Sequence, residues 1–171
     1  MSLVTMREIL PYAEEKKIAI PAFNIDTMEI TQAILETVEE ENCPAIIAVG
    51  QAAIKDGKLE SLAATVRTLA KDMKTPVVLH LDHGQSVEQV VKALCAGFTS
   101  VMIDGSKLSF EDNIALTKSV ADAGRAMGVP VEAELGKVGG KEDDGPAVEG
   151  ESPYTDPAEA KEFVERTGCT S

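Results

Sequence analysis

The sequence predicts an α/β fold built on a parallel sheet, and three observations predict it. Short apolar, β-branched runs alternate with amphipathic helical stretches five times. Each strand–helix unit is roughly 25–30 residues long, the rhythm of parallel strands joined by helices on the outside. Polar residues recur at one structural place, just after the apolar runs. The pattern fits a doubly wound sheet or part of an eight-stranded (β/α) barrel, and periodicity alone does not choose between them.

Thr5-x-x-Glu8 is a capping box for a first helix, which Pro11 is expected to kink or interrupt. Ile18 to Phe23 reads as the first strand, broken only at Pro21 and ending at Asn24. Asp26-x-x-Glu29 caps a helix whose apolar positions are Ile30, Ala33, Ile34, Thr37 and Val38. Pro44 to Val49 is a second strand, ending at Gly50. Leu59, Leu62, Ala63, Val66, Leu69 and Met73 form the cleanest helical stripe. Pro76 opens a third strand, Val77 onward, reading VVLHLDHGQS. Ser86-x-x-Gln89 caps a helix with Val87, Val90, Val91 and Leu94 facing inward, and Gly97 stops it. Thr99 to Ile103 is a fourth strand. Ser109 caps a helix with Phe110, Ile114 and Ala121 inward. Val129 to Leu135 is a fifth strand, followed by a Gly- and acid-rich loop from Gly136 to Tyr154. Asp156-Pro157-x-Glu159 starts the last helix, and Gly168 to Ser171 reads as the lead-in to a sixth strand.

The length suits one domain, 1–171. No apolar stretch is long enough to cross a bilayer, and the first ten residues lack the basic-then-apolar order of a signal peptide. Three scattered cysteines (Cys43, Cys95, Cys169) share no zinc-finger or redox spacing, so reduced thiols and a cytoplasmic location are expected. The net charge of −13 argues against nucleic acid or an anionic membrane as partner. It leaves a phosphorylated substrate open, because a few groups set a pocket's local field.

The chemistry gathers at strand ends: Asn24, then His80, Asp82 and His83, then Asp104 and Ser106, then Glu132 and Glu134. Alternation puts His80 and Asp82 on one side of the third strand and His83 on the other. A turn at Gly84 would bring His83 back toward Asp82. An imidazole among carboxylates suits a divalent cation with an acid/base neighbour. A strand-end ion pair or two core histidines explain the same residues. Helix capping and solvated loop ends explain Asp26 and Asp156, but not two acids inside an apolar strand, which are costly to bury unpartnered. No phosphate-binding loop, dinucleotide glycine motif, GxSxG elbow or HExxH is present.

His80-Leu81-Asp82-His83-Gly84 resembles the HxDHG signature of class II, metal-dependent fructose-1,6-bisphosphate aldolases, a group that includes tagatose-bisphosphate aldolases. Val131 to Gly136, continuing to Gly139, Gly140 and Glu142, resembles the second signature of that family. Pro21 to Asn24 and Met102 to Ser106 resemble it at the matching strand ends. The resemblance implies a TIM (β/α)8 barrel, of which this chain supplies about the first five βα units. It implies Zn2+ as a Lewis acid on the ketone of dihydroxyacetone phosphate, with a possible second metal position. It implies His83 as a zinc ligand, Asp104 and Glu134 at a second or alternative metal position, and Asp82 as the acid/base at the aldehyde oxygen or C4 hydroxyl. Glu142 would exchange the carbon-bound proton from a loop hinged at Gly139-Gly140, Asn24 and Ser106 would contact substrate, and His80 and Glu132 would play supporting roles. A homodimer or homotetramer acting on a sugar bisphosphate in carbohydrate metabolism is the implied setting.

The sequence departs from the family at Gly50, where a hydroxyl residue is common, and at Lys107, where histidine is. Family members continue for about three more βα units that bring two histidine ligands and most of the phosphate site. Here the only histidines are His80 and His83. The expectation is therefore the N-terminal part of an aldolase barrel, with little or no turnover by the 171-residue polypeptide alone. The alternative is a non-catalytic partial barrel that self-associates or binds a partner. A metal-dependent hydrolase on a rearranged sheet is a third reading, and the two signatures argue against it.

Overall fold

The computed structural model of the chain describes residues 2–136 and 155–171. Five strands carry the architecture: β1 (Ala22–Asn24), β2 (Ala45–Val49), β3 (Val77–Gly84), β4 (Ser100–Ile103) and β5 (Val131–Ala133). They pair in parallel and lie in chain order, β1 to β5. A doubly wound sheet reverses its strand order at a switch point. This sheet never reverses, so it is the run of five βα units of a (β/α) barrel.

The helices are α1 (Met6–Lys16), α2 (Met28–Glu41), α3 (Gln51–Lys55), α4 (Leu59–Leu69), α5 (Val87–Ala96), α6 (Phe110–Met127) and α7 (Pro157–Thr167). Odd-numbered residues of β2 and β3 (Ala45, Ile47, Val49, Val77, Leu79, Leu81) face the helix layer, against Leu62, Ala63 and Val66 of α4 and Val90 and Leu94 of α5. Each valine, leucine and isoleucine among them is worth about 1.5–3 kcal/mol when fully buried. Even-numbered residues line the other face. At its lower end Ile46 and Val78 pack on Met6 and Ile9, so α1 closes the N-terminal end of the strands. Higher up, His80 lies level with Ala48 and Ser100, and Met102 with Glu132. The inner face thus climbs from an apolar floor to polar groups at the carboxyl ends of the strands.

Several local expectations change. Pro11 does not interrupt α1; it removes one intrahelical bond, on an exposed turn where water can replace it. Ile18 donates to the Ala13 carbonyl and finishes the α1 C-cap, so β1 starts only after Pro21. Thr27, not Asp26, caps α2, its hydroxyl accepting from Ile30 N–H at 3.3 Å. The buried face of α2 is Thr31, Leu35 and Val38, leaving Ile30 exposed. Val87 and Val91 are likewise exposed on α5. The short helix α3 was not expected. β5 covers only Val131–Ala133, because pairing with β4 ends there. Beyond it, Thr170 N–H donates to the Val131 carbonyl at 2.8 Å and Ala133 N–H to the Ser171 carbonyl at 3.0 Å, so the last two residues lie against β5 without forming a strand among the described residues. The caps at Ser86, Ser109 and Asp156 form as read.

Candidate functional site

The third strand does not simply alternate to its end. Leu81 pairs with Val101 and Gly84 with Ile103, so β3 carries one residue more than β4 over this interval, a β-bulge. The extra residue is accommodated at His83, whose φ of 49° is left-handed, a conformation unusual for a non-glycine residue. The turn expected at Gly84 is therefore at His83 itself, and Gly84 stays in the strand. Gly84 is required there: a Cβ would lie 2.4 Å from the Met102 carbonyl oxygen. The bulge swings the His83 ring onto the inner face, among the acids of β3, β4 and β5.

His83 Nδ1 lies 3.5 Å from Glu134 Oε2 and 3.6 Å from Asp104 Oδ2, and Nε2 lies 3.9 Å from Asp82 Oδ1. His83, Asp104 and Glu134 each offer a ligand atom, all within 4.8 Å of one another. One imidazole nitrogen and two carboxylate oxygens make a donor set that fits a zinc-sized cation with a position left open. Asp104 is fixed by Ser106, whose backbone N–H (3.0 Å) and hydroxyl (2.6 Å) both donate to Oδ1. Ser106, read as a substrate contact, thus also orients Asp104. Asn24 stands across a gap from Asp82: a Cβ at Gly50 would lie 3.8 Å from Asn24 Nδ2 and 3.9 Å from Asp82 Oδ2.

Below this layer, His80 is buried, 5% exposed. Its Nδ1 is 2.8 Å from Ser100 Oγ and its Nε2 3.7 Å from Glu132 Oε2. Burial, with the neighbouring His83 charge, pushes its pKa down to about 4, so the ring is neutral. Burial, reinforced by Asp82, pushes the Glu132 carboxyl up. Around His83 burial favours the neutral ring, but Asp82, Glu134 and Asp104 together outweigh it and raise the pKa. Burial also opposes ionisation of Asp104, yet the two Ser106 hydrogen bonds and His83 prevail and lower it. The same three carboxylates that raise the His83 pKa therefore make this a site that favours positive charge, with the donor atoms a divalent cation would need.

Asn113 and Gln51, which the sequence did not flag, hold the frame together with Gln89, read there only as a capping residue. Asn113 of α6, 3% exposed, donates from Nδ2 to the Glu134 carbonyl at 2.8 Å, and Gly105 leaves room for it. Gln51 of α3 donates to the His83 carbonyl at 2.8 Å, and Gln89 of α5 bonds Gln51. The available signal was position: Gln51 is the first residue after the glycine that ends β2. Glu142, Gly139 and Gly140 lie outside the described residues.

The family model described as fructose-bisphosphate aldolase class-II matches residues 4–171. The chain is 49% identical over 171 residues to the probable fructose-bisphosphate aldolase of Bacillus subtilis, covering 98% of this chain and 59% of that protein. It is 48% identical over 172 residues to the fructose-bisphosphate aldolase of Geobacillus stearothermophilus, with the same coverage. Among solved structures it is similar to the YdjI aldolase of Escherichia coli K12, with TM-score 0.84 and 36% identity, over 98% of this chain and 60% of that one. The chain thus spans about three-fifths of the length of the curated relatives it matches. With the match of the family model along residues 4–171, this chain belongs to the class II fructose-bisphosphate aldolase family.

Proposed function

We propose that this chain carries the metal-binding and acid/base part of a zinc-dependent ketose-bisphosphate aldolase. The preferred reaction is reversible cleavage of fructose 1,6-bisphosphate to dihydroxyacetone phosphate and glyceraldehyde 3-phosphate. The observation that carries this reading is the convergence of His83, Asp104 and Glu134 at three strand ends, with Asp82 beside them. His83, together with the two histidine ligands that the resemblance assigns to the rest of the barrel, would hold the zinc, with Asp104 and Glu134 at a second or alternative metal position; the ion would supply Lewis-acid polarisation of the substrate ketone. The chain's own groups do the remaining work. Asp82, facing the gap shared with Asn24, takes the proton of the C4 hydroxyl as the C3–C4 bond breaks, and returns it to the aldehyde oxygen in condensation. The electron pair of the broken bond moves toward the ketone, and Glu142 delivers a proton to C3. Asn24 orients the substrate hydroxyls. Ser106 contacts substrate through a lone pair while its proton stays on Asp104. His80 and Glu132, 3.7 Å apart, play supporting roles below the site. The 171 residues act as one unit, in the cytoplasm, within a homo-oligomer that takes a phosphorylated sugar and neither nucleic acid nor membrane.

A second reading rests on the exposed side of β1, where Phe23 is 41% exposed beside a groove of about 600 Å³ lined by Pro21, Ala33, Ile34 and Ala45. In that reading the chain is a non-catalytic partial barrel that self-associates through this face. The test joins residues 1–171 to the remaining two-fifths of the Bacillus subtilis relative and assays fructose 1,6-bisphosphate cleavage. The aldolase reading expects chelator-sensitive turnover that falls about 10²–10⁴-fold in Asp82→Asn, and little or none from the 171-residue polypeptide alone. A folded chimera with no turnover would overturn it.

A further inference from the structure

We infer that Gln51 and Gln89 are positioning residues that hold the backbone at His83 in its left-handed turn and so aim the imidazole at Asp104 and Glu134. The inference rests on the metal-site reading above. A left-handed non-glycine residue in a strand persists only when its surroundings impose it. Here the surroundings are two amide side chains from different βα units. Gln51 is buried, 8% exposed, at the start of α3. Its Nε2 donates to the His83 carbonyl at 2.8 Å and to Gln89 Oε1 at 3.2 Å. Gln89 Nε2 returns a bond to Gln51 Oε1 at 3.3 Å. Gln89 Oε1 also accepts the Gln85 N–H at 2.8 Å. The paired amides therefore grip the chain on both sides of Gly84, at the His83 carbonyl and at the Gln85 amide. The rigid end of β2 and the start of α5 are tied to the bulge that carries the metal-ligand histidine. Gln51 acts through the His83 carbonyl, and Gln89 through Gln51 and the Gln85 N–H, as outer partners of metal ligands do.

The test uses Gln51→Met and Gln51→Glu, which keep the shape but lose the donor to the His83 carbonyl, and Gln89→Met, at a less buried position. Exposed Gln32→Met is the control. Two readouts are taken on the 171-residue chain: affinity for Zn2+ by competition titration, and amide hydrogen exchange at Gln85 without metal. The expected result is zinc binding weakened about 10–100-fold in each variant, with faster Gln85 exchange in Gln89→Met and an unchanged control. Wild-type zinc affinity in a folded Gln51→Met together with unchanged Gln85 exchange in Gln89→Met would overturn the inference. If the wild-type chain bound no zinc, the metal reading would fail, while Gln85 exchange would still decide whether the amide pair holds the turn. If Gln51→Met did not fold, Gln89→Met would decide both readouts.

Discussion

Replacing Gly84 by alanine tests whether the bulge, rather than the histidine alone, builds the site. The added Cβ would stand 2.4 Å from the Met102 carbonyl oxygen, 3.1 Å from Leu81 Cδ2 and 3.3 Å from Val90 Cγ2. A normal carbon–oxygen approach is about 3.3 Å, and a backbone carbonyl cannot rotate away as a side chain does. β3 and β4 must part locally, straining the bond from Asp104 N–H to the Gly84 carbonyl, now 2.9 Å. Overpacking of this kind costs about 1–3 kcal/mol. For a chain of this size each kcal/mol lowers the melting temperature by about 2–4 °C. Because Gly84 follows His83 and its carbonyl holds Asp104, zinc affinity should fall as well, by about tenfold or more. Gly128→Ala is the control. Its φ is 73° with open space around it, so the variant loses about 1–2 kcal/mol and keeps its zinc affinity. Calorimetric melting with and without zinc reads both quantities. A Gly84→Ala protein with wild-type melting temperature and zinc affinity would refute the reasoning.

Other outcomes follow from the same geometry. Asn113→Leu leaves the Glu134 carbonyl without its buried donor and should cost about 1–3 kcal/mol in urea unfolding, with weaker zinc binding; no loss would mean that Glu134 is held otherwise. Zinc at 100 times its dissociation constant should add about 2.7 kcal/mol of stability, reversed by chelator; a melting temperature indifferent to zinc would contradict the cation-centred cluster. His80 titrates at about 4 in the folded chain against an ordinary 6.5. The unfolded chain takes up that proton first, so its stability contribution is complete above pH 6.5 and drains toward pH 4, by about 3 kcal/mol at most. His83, with a raised pKa, acts in the opposite sense: its contribution is present below the unfolded value and lost as pH rises through the folded one. Comparing wild type with His80→Gln in urea at several pH values isolates the first effect, and an identical slope in both would count against it.

What could be read from sequence was what short-range pattern determines. The caps at Ser86, Ser109 and Asp156 and the continuous run of β3 depend on neighbours in the chain, and they form as read. The gathering of acids at strand ends was also legible, because parallel strands bring their carboxyl ends to one side. What escaped depended on partners distant in sequence. Ile30 and Leu35 both fit a helical stripe, and only the packed sheet decides that Leu35 is buried. Asp26 and Thr27 are adjacent candidates for one cap, and the local backbone chose Thr27. The strand at Val129–Leu135 looked longer than its pairing with β4 allows. The orientation of His83 follows from a bulge against β4 and from an amide pair 38 residues apart, which no local periodicity reports.

X-ray absorption on the zinc-loaded 171-residue chain reads the ligand atoms themselves. One zinc per chain is expected, bound by one imidazole nitrogen and carboxylate oxygens at about 2.0–2.2 Å, and lost in His83→Ala. Zinc held by sulfur at about 2.3 Å, or the same spectrum in His83→Ala, would contradict this reading.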